Sequence, residues 1–86
     1  MVTHIIDELS DRKNRLDITF KKLQKYEKDL FDKCVLSIIE NSQENADTYA
    51  NECARIKNEI KEIFRNQLIL ARVLLKLEII RDYEIR

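Results

Sequence analysis

Few side chains in this sequence have the type and spacing that catalysis needs. The single histidine, His4, has no sequence neighbour that would complete a metal site or activate a nucleophile. The carboxylates are spread evenly and lack the Glu-x-x-His pattern of di-iron helical bundles. The absence of glycine excludes the glycine-rich loops that hold phosphates or dinucleotides. We therefore predict no enzyme activity, no cofactor and no metal site.

The two cysteines, Cys34 and Cys53, stand at positions that are predicted to face another helix. Counting outward from a turn near Ser42 places them at similar heights, where they could touch. Two small buried side chains are the favoured interpretation, and a disulfide is the alternative. Because the N-terminus has no signal-peptide pattern, two cysteines also indicate a reducing, cytoplasmic compartment.

Basic residues that could bind an anionic partner are concentrated between Arg12 and Lys28. This segment has seven basic and two acidic residues, although the whole chain has 16 of each. On a helix, most of the nearby basic side chains fall on one outward face: Arg15, Lys21, Lys22, Lys25, Lys28 and Lys33. Such a face is either an ordinary solvated face or a surface that attracts anionic lipid or nucleic-acid phosphate. Because no aromatic interleaving or recognition motif accompanies it, we predict no nucleic-acid partner.

Helices must position these residues, because the 86-residue chain contains neither the glycine nor the proline that tight β-turns favour. An apolar residue recurs every seven positions from Val2 to Leu30, which is typical of a helix with one apolar stripe. The alternate positions of this stripe are Phe20, Cys34 and Ile38, with polar interruptions at Lys13 and Glu27. The pattern predicts a first helix over about 2–40.

A turn at 41–43 and a second helix over about 43–84 are predicted next. Asn41 can adopt the left-handed conformation, and Ser42 can cap a helix that has Glu44 in its first turn. A connection this short makes the helices antiparallel neighbours. The positions facing the first helix alternate in steps of three and four: Ala46, Tyr49, Cys53, Ile56, Ile60, Ile63, Gln67, Leu70, Leu74 and Leu77. The predicted fold is all-α, a long antiparallel two-helix, coiled-coil-like hairpin forming one unit over residues 1–86.

The last third of the second helix is apolar around most of its circumference. Between Ile63 and Ile80, 12 of 18 residues are apolar, and Arg72, Lys76 and Glu78 interrupt a membrane span. One partner helix cannot cover such a segment, so we predict that self-association completes the fold. The predicted interface comprises Phe64, Leu68, Leu70, Ala71, Leu74, Leu75, Leu77 and Ile79. Leu74→Asp is expected to abolish self-association and to leave the helix content largely intact.

Several short stretches of the sequence resemble a known protein family in their order and spacing. They are Arg15-Leu16-Asp17, Lys28-Asp29-Leu30-Phe31-Asp32-Lys33, Tyr49-Ala50-Asn51-Glu52, Ile56-Lys57, Gln67-Leu68 and Leu75-Lys76-Leu77-Glu78. Together they resemble the core of archaeal cell-division ESCRT-III-like proteins of the CdvB type, over roughly residues 12–82. The resemblance covers about the first two helices of that family's core domain. Family members commonly have glycine in the turn, where this chain has Asn41-Ser42.

The resemblance implies a non-enzymatic cytoplasmic subunit that self-assembles into filaments on anionic membrane and remodels or constricts it during archaeal cell division. The implied partners are other copies, ESCRT-III-like paralogues, the membrane at the inner face or division site, and an AAA+ ATPase that binds a tail absent from this chain. The implied membrane-binding residues are Arg12, Lys13, Arg15, Lys21, Lys22 and Lys25. The alternative is a soluble helical hairpin that forms a discrete dimeric four-helix bundle as an interaction or scaffold module.

Overall fold

The computed structural model describes residues 1–85 and consists of two long helices joined by a short turn. Helix α1 spans Val2–Ile39 and helix α2 spans Gln43–Ile85. They pack antiparallel into a rod of 68 × 14 × 13 Å. The 38 residues of α1 alone account for about 57 Å of this length at about 1.5 Å per residue. The predicted all-α hairpin is confirmed, and both helices end within one residue of the predicted positions.

The turn is built by backbone hydrogen bonds that end α1 in a Schellman motif. Asn41 has a φ of 61°, so it occupies the left-handed region. Its N–H donates to the Ile38 carbonyl at 3.1 Å, and the Ser42 N–H donates to the Ser37 carbonyl at 2.8 Å. The Ser42 carbonyl then accepts the first bond of α2 from the Ala46 N–H at 3.0 Å. The predicted left-handed role of Asn41 is therefore confirmed.

The two helices meet along a seam whose most buried part lies nearer the turn. Leu30, Cys53 and Ile56 form a buried cluster there. Leu23, Tyr49 and Ile60 are half-buried against it. Towards the open end of the hairpin, Ile6 and Leu74 are buried as well. The seam is one residue layer thick on each helix, so most of the remaining side chains stay in contact with solvent.

One predicted seam position is wrong. Ile38 is 58% exposed, whereas its neighbour Ser37 is only 6% exposed. A step of seven from Leu30 reaches Ser37, and a helix in a coiled coil must keep this 3–4 alternation to hold its seam against the partner. Two successive steps of four, from Leu30 to Cys34 to Ile38, rotate the last residue off the seam. A buried hydroxyl needs a hydrogen-bond partner, and the Ser37 hydroxyl has one because it donates to the Lys33 carbonyl at 2.9 Å.

Candidate functional site

Five basic side chains of α1 form a continuous outward surface, which we call the cationic face. It consists of Arg15, Lys21, Lys22, Lys25 and Lys28, and all five are exposed. The helix places them there because the seam fixes which side of α1 meets α2, and these positions lie on the other side. Within residues 1–85 none of the five forms an ion pair. Their charge is therefore available to a partner.

The two acidic residues of the segment point away from the cationic face. Asp17 is half-buried beside the seam, where its carboxylate accepts hydrogen bonds from Lys13 at 3.5 Å and from Gln67 of α2 at 2.6 Å. Glu27 is also half-buried on the seam. From Asn14 to Lys28, the outward surface of α1 therefore contains basic, amide and apolar side chains and no carboxylate. The composition of the segment shows a local excess of positive charge. The packing of α1 on α2 adds that the outward surface of the segment has no carboxylate.

The six predicted membrane-binding residues take three different positions. Arg15, Lys21, Lys22 and Lys25 lie on the cationic face. Arg12 is exposed on a flank of the hairpin, in a shallow groove with Leu16, Asn66, Ile69 and Leu70. Lys13 lies on the seam, half-buried and bonded to Asp17. The structure thus brings four of the six together and adds Lys28 to them.

The eight predicted self-association residues divide into two groups. Leu70, Leu74 and Leu77 face α1, and Leu74 is only 8% exposed within the hairpin. The other five lie outside the seam, and we call them the apolar stripe: Phe64, Leu68, Ala71, Leu75 and Ile79. Phe64 touches Phe20 of α1, with ring centroids 6.3 Å apart, and remains half exposed.

Leu74 is therefore the wrong position for a selective test of self-association. Its side chain belongs to the hairpin's own core, so an aspartate there would damage the packing of α1 on α2. Leu75 is 58% exposed and is the appropriate residue. Sequence periodicity could have separated the two groups, because Leu70, Leu74 and Leu77 continue the same 3–4 alternation as the rest of the seam.

The other flank of α2 carries apolar side chains that the predicted interface omits. Ile69, Val73, Ile80 and Tyr83 are all exposed there. The segment is thus apolar on both sides of the seam, as its composition predicted. The exposed apolar surface of the hairpin is wider than the set of residues chosen for the interface.

Cys34 and Cys53 line one shallow groove and both are free thiols, so the structure shows two small side chains and not the disulfide. Cys34 Sγ donates to the Ala46 carbonyl at 3.4 Å, and Cys53 Sγ donates to the Glu27 carbonyl at 3.7 Å. Each cysteine packs as a small side chain with a weak hydrogen bond to the opposite helix.

A charged network on the surface of α2 has the strongest electrostatic signature of the described residues. Arg55 donates to the carboxylates of Glu52 and Glu59, one turn to either side. The hydrogen bond from Arg55 lowers the pKa of Glu52, and the same bond raises the pKa of Arg55. Such exposed pairs support a helix modestly and do not make a reactive site.

Neither metal binding nor membrane insertion of a whole helix is indicated for the described residues. No cluster of histidine, cysteine and carboxylate side chains among residues 1–85 could hold a metal ion. Over the same residues, neither helix has a stretch long and apolar enough to span a bilayer.

Curated proteins similar to this chain include two from Sulfolobus acidocaldarius. Cell division protein B is 34% identical over 83 residues, which is 96% of this chain and 32% of that protein. Cell division protein B1 is 35% identical over 69 residues, which is 80% of this chain and 32% of that protein. This chain is a relative of the CdvB-type proteins of archaea. The resemblance drawn from the sequence stretches is thereby confirmed.

The CdvB-type relationship covers a limited part of these relatives. The chain spans about a third of the length of each. No family model matches the chain. No solved structure matches it either.

Proposed function

We propose that this chain acts as a non-enzymatic ESCRT-III-like subunit that assembles with its own copies on anionic membrane, and remodels or constricts that membrane during archaeal cell division. The relatives named as cell division proteins support the cellular role. The acid-free cationic face on the solvent side of α1 is the observation that carries the membrane part. A surface of this kind suits a peripheral protein at the inner face of the cell membrane or division site.

Electrostatics make the contact of a single hairpin weak. A basic residue near an anionic bilayer contributes about 1 kcal/mol, so five of them supply at most about 5 kcal/mol before the cost of immobilisation. Assembly raises the effective concentration of every further cationic face at the surface, which increases overall binding without new contacts. The apolar stripe supplies a surface through which such an assembly could form.

Sedimentation with vesicles tests the membrane part of the proposal. Binding is expected to phosphatidylserine vesicles and not to neutral phosphatidylcholine vesicles, and to fall as salt screens the charges. The Lys21/Lys22/Lys25→Glu variant is expected to lose binding. A matched control reverses three exposed lysines of α2, Lys57/Lys61/Lys76→Glu, and has the same net charge. Equal loss in both variants would show that net charge, and not the cationic face, governs binding.

A discrete dimer is the second candidate, and the exposed apolar stripe favours it to the same degree. Two hairpins could bury these side chains against each other in a four-helix bundle that serves as an interaction or scaffold module. In that case the cationic face would be an ordinary solvated surface. Light scattering separates the two proposals, because the dimer keeps a fixed mass as concentration rises and a filament subunit forms open-ended assemblies.

ESCRT-III-like paralogues and an AAA+ ATPase complete the proposed set of partners. Both partners follow from the CdvB-type relationship.

A further inference from the structure

The end of α1 beside the turn has four large apolar side chains that the hairpin leaves uncovered, and three of them share its outward side, whereas Ile38 lies beside the seam. Val35 is 40% exposed, Leu36 is 52% exposed and Ile39 is 71% exposed. We call these three residues the turn-end patch. They belong neither to the seam nor to the apolar stripe of α2. Three exposed aliphatic residues on one side of a helix end, in a highly charged protein, indicate a contact with an apolar partner.

The turn-end patch lies on the same side of α1 as the cationic face. Positions seven apart share a row on a helix in a coiled coil. Val35 therefore continues the row of Lys21 and Lys28, and Ile39 continues the row of Lys25. Leu36 likewise continues the row of Arg15 and Lys22. A partner that lies along this side of α1 therefore contacts the positive charge of the cationic face in the middle of the helix and the apolar turn-end patch at its end.

We propose that the turn end of the hairpin inserts Val35, Leu36 and Ile39 into the acyl region of an anionic bilayer while the cationic face contacts its headgroups. The inference rests on the proposed membrane function and adds an apolar anchor to it. A lipid surface fits because it presents anionic headgroups above an apolar layer within about 5–10 Å. Nucleic acid offers the anionic groups without an accessible apolar layer.

The segment between the two surfaces does not oppose this placement. Asp29 and Asp32 share the outward side, but Lys28 and Lys33 lie four positions from Asp32 and Asp29 respectively. The segment 28–33 therefore has no net charge, and its long lysine side chains reach the headgroup level. Because the patch is at the end of a rod 68 Å long, a modest tilt lowers it below the cationic face.

A second copy is a poorer occupant of this surface. A symmetric side-by-side contact through the outward side of α1 would bring the cationic faces of both copies together, where like charges repel. The apolar stripe on α2 offers copies a contact without that repulsion. Lipid is therefore the occupant that suits the charge and the apolar surface together.

Tryptophan fluorescence gives a direct test, because the chain has no tryptophan of its own. The Leu36→Trp variant is expected to show a blue shift and strong quenching on phosphatidylserine vesicles whose acyl chains are brominated. The Asn51→Trp variant places the probe on the exposed side of α2 and should show neither. A Val35/Leu36/Ile39→Ser variant, which keeps every charge, should bind the vesicles at least about tenfold more weakly. Its helix content by circular dichroism checks that it still folds.

The outcomes separate this inference from the proposed function. If the protein sediments with vesicles but the tryptophan at position 36 is not quenched, the anchor is overturned and membrane binding stands. If the protein does not sediment with any anionic vesicle, the proposed function itself fails. A blue shift that appears without vesicles, together with a larger mass in ultracentrifugation, would assign the turn-end patch to a second copy and would also overturn the anchor.

Discussion

Single residues decide how this chain turns back on itself. Asn41 carries the left-handed conformation that glycine most often supplies at the end of a helix, and its φ of 61° lies in a region that asparagine tolerates better than most residues. The neighbouring amides of Asn41 and Ser42 close the Schellman motif with the last turn of α1. The sequence could predict this because Asn-Ser is the only break in two long helical patterns.

Replacing Asn41 should affect stability according to the backbone conformation of the new residue. We expect Asn41→Val to lower the free energy of unfolding by about 1–2 kcal/mol, because a β-branched residue is strained in the left-handed region. Asn41→Gly should leave it unchanged or slightly higher. Urea denaturation followed by circular dichroism measures the difference. The control Asn51→Val, in the exposed middle of α2, should change it by less than about 0.5 kcal/mol. Equal effects at both positions would contradict the role of Asn41.

The ion pair between Glu52 and Arg55 predicts a pH dependence with a definite sign. The hydrogen bond from Arg55 lowers the pKa of Glu52 in the folded state. The pair therefore stabilises the fold above the ordinary glutamate pKa of about 4.3, and this contribution is lost as pH falls through the lowered folded pKa. Thermal melts should show Glu52→Gln to be less stable than the parent chain at neutral pH and equal to it in strong acid. A difference that persists unchanged in acid would refute this account.

At the scale of elements, periodicity predicted both helices and nearly the whole seam. It succeeded for α2 because every seam position there keeps the 3–4 alternation, including the polar Gln67. It failed at Ile38 because the seam keeps the heptad step to the polar Ser37, and an apolar side chain at position 38 does not change that step.

Adjacent leucines of α2 should have separable roles. We expect Leu75→Asp to reduce self-association and to keep the helix content, because Leu75 is exposed on the apolar stripe. Leu74→Asp should lose helix content as well, because it buries a charge in the seam of the hairpin at a cost of several kcal/mol. Analytical ultracentrifugation and circular dichroism measure the two properties on the same samples.

A charge-matched control keeps the prediction specific to position. Asn58→Asp adds the same charge to an exposed position of α2 outside the apolar stripe, and should alter neither mass nor helix content. If Leu75→Asp leaves the association state unchanged, the apolar stripe is not the contact between copies. If Leu74→Asp keeps full helix content, the seam contributes less to the fold than its burial indicates.

The polar seam positions give a second prediction at this scale. Glu27 is half-buried between the leucines at positions 23 and 30, where an apolar residue would pack better. We expect Glu27→Leu to raise the free energy of unfolding by about 1 kcal/mol. The control Glu62→Leu, at an exposed position, should have little effect in urea denaturation. No gain at position 27 would show that the glutamate is accommodated as well as a leucine.

The whole molecule separates three surfaces on one stiff rod. The cationic face and turn-end patch lie on the outward side of α1, and the apolar stripe lies on α2. This division lets one side meet a membrane while another meets neighbouring copies. The net charge of zero does not reveal it, because acids elsewhere balance the cationic face. Sequence patterning located two of the three surfaces, and the turn-end patch emerged only once exposure of α1 near the turn was known.

Electron microscopy of the purified chain with phosphatidylserine vesicles tests the central proposal most directly. The account predicts ordered filaments of laterally packed hairpins on anionic vesicles, with deformation of the vesicle outline. Neutral vesicles should carry no filaments, and neither should anionic vesicles mixed with the Lys21/Lys22/Lys25→Glu variant. Discrete dimers in solution beside undecorated anionic vesicles would contradict the proposal and favour the four-helix bundle.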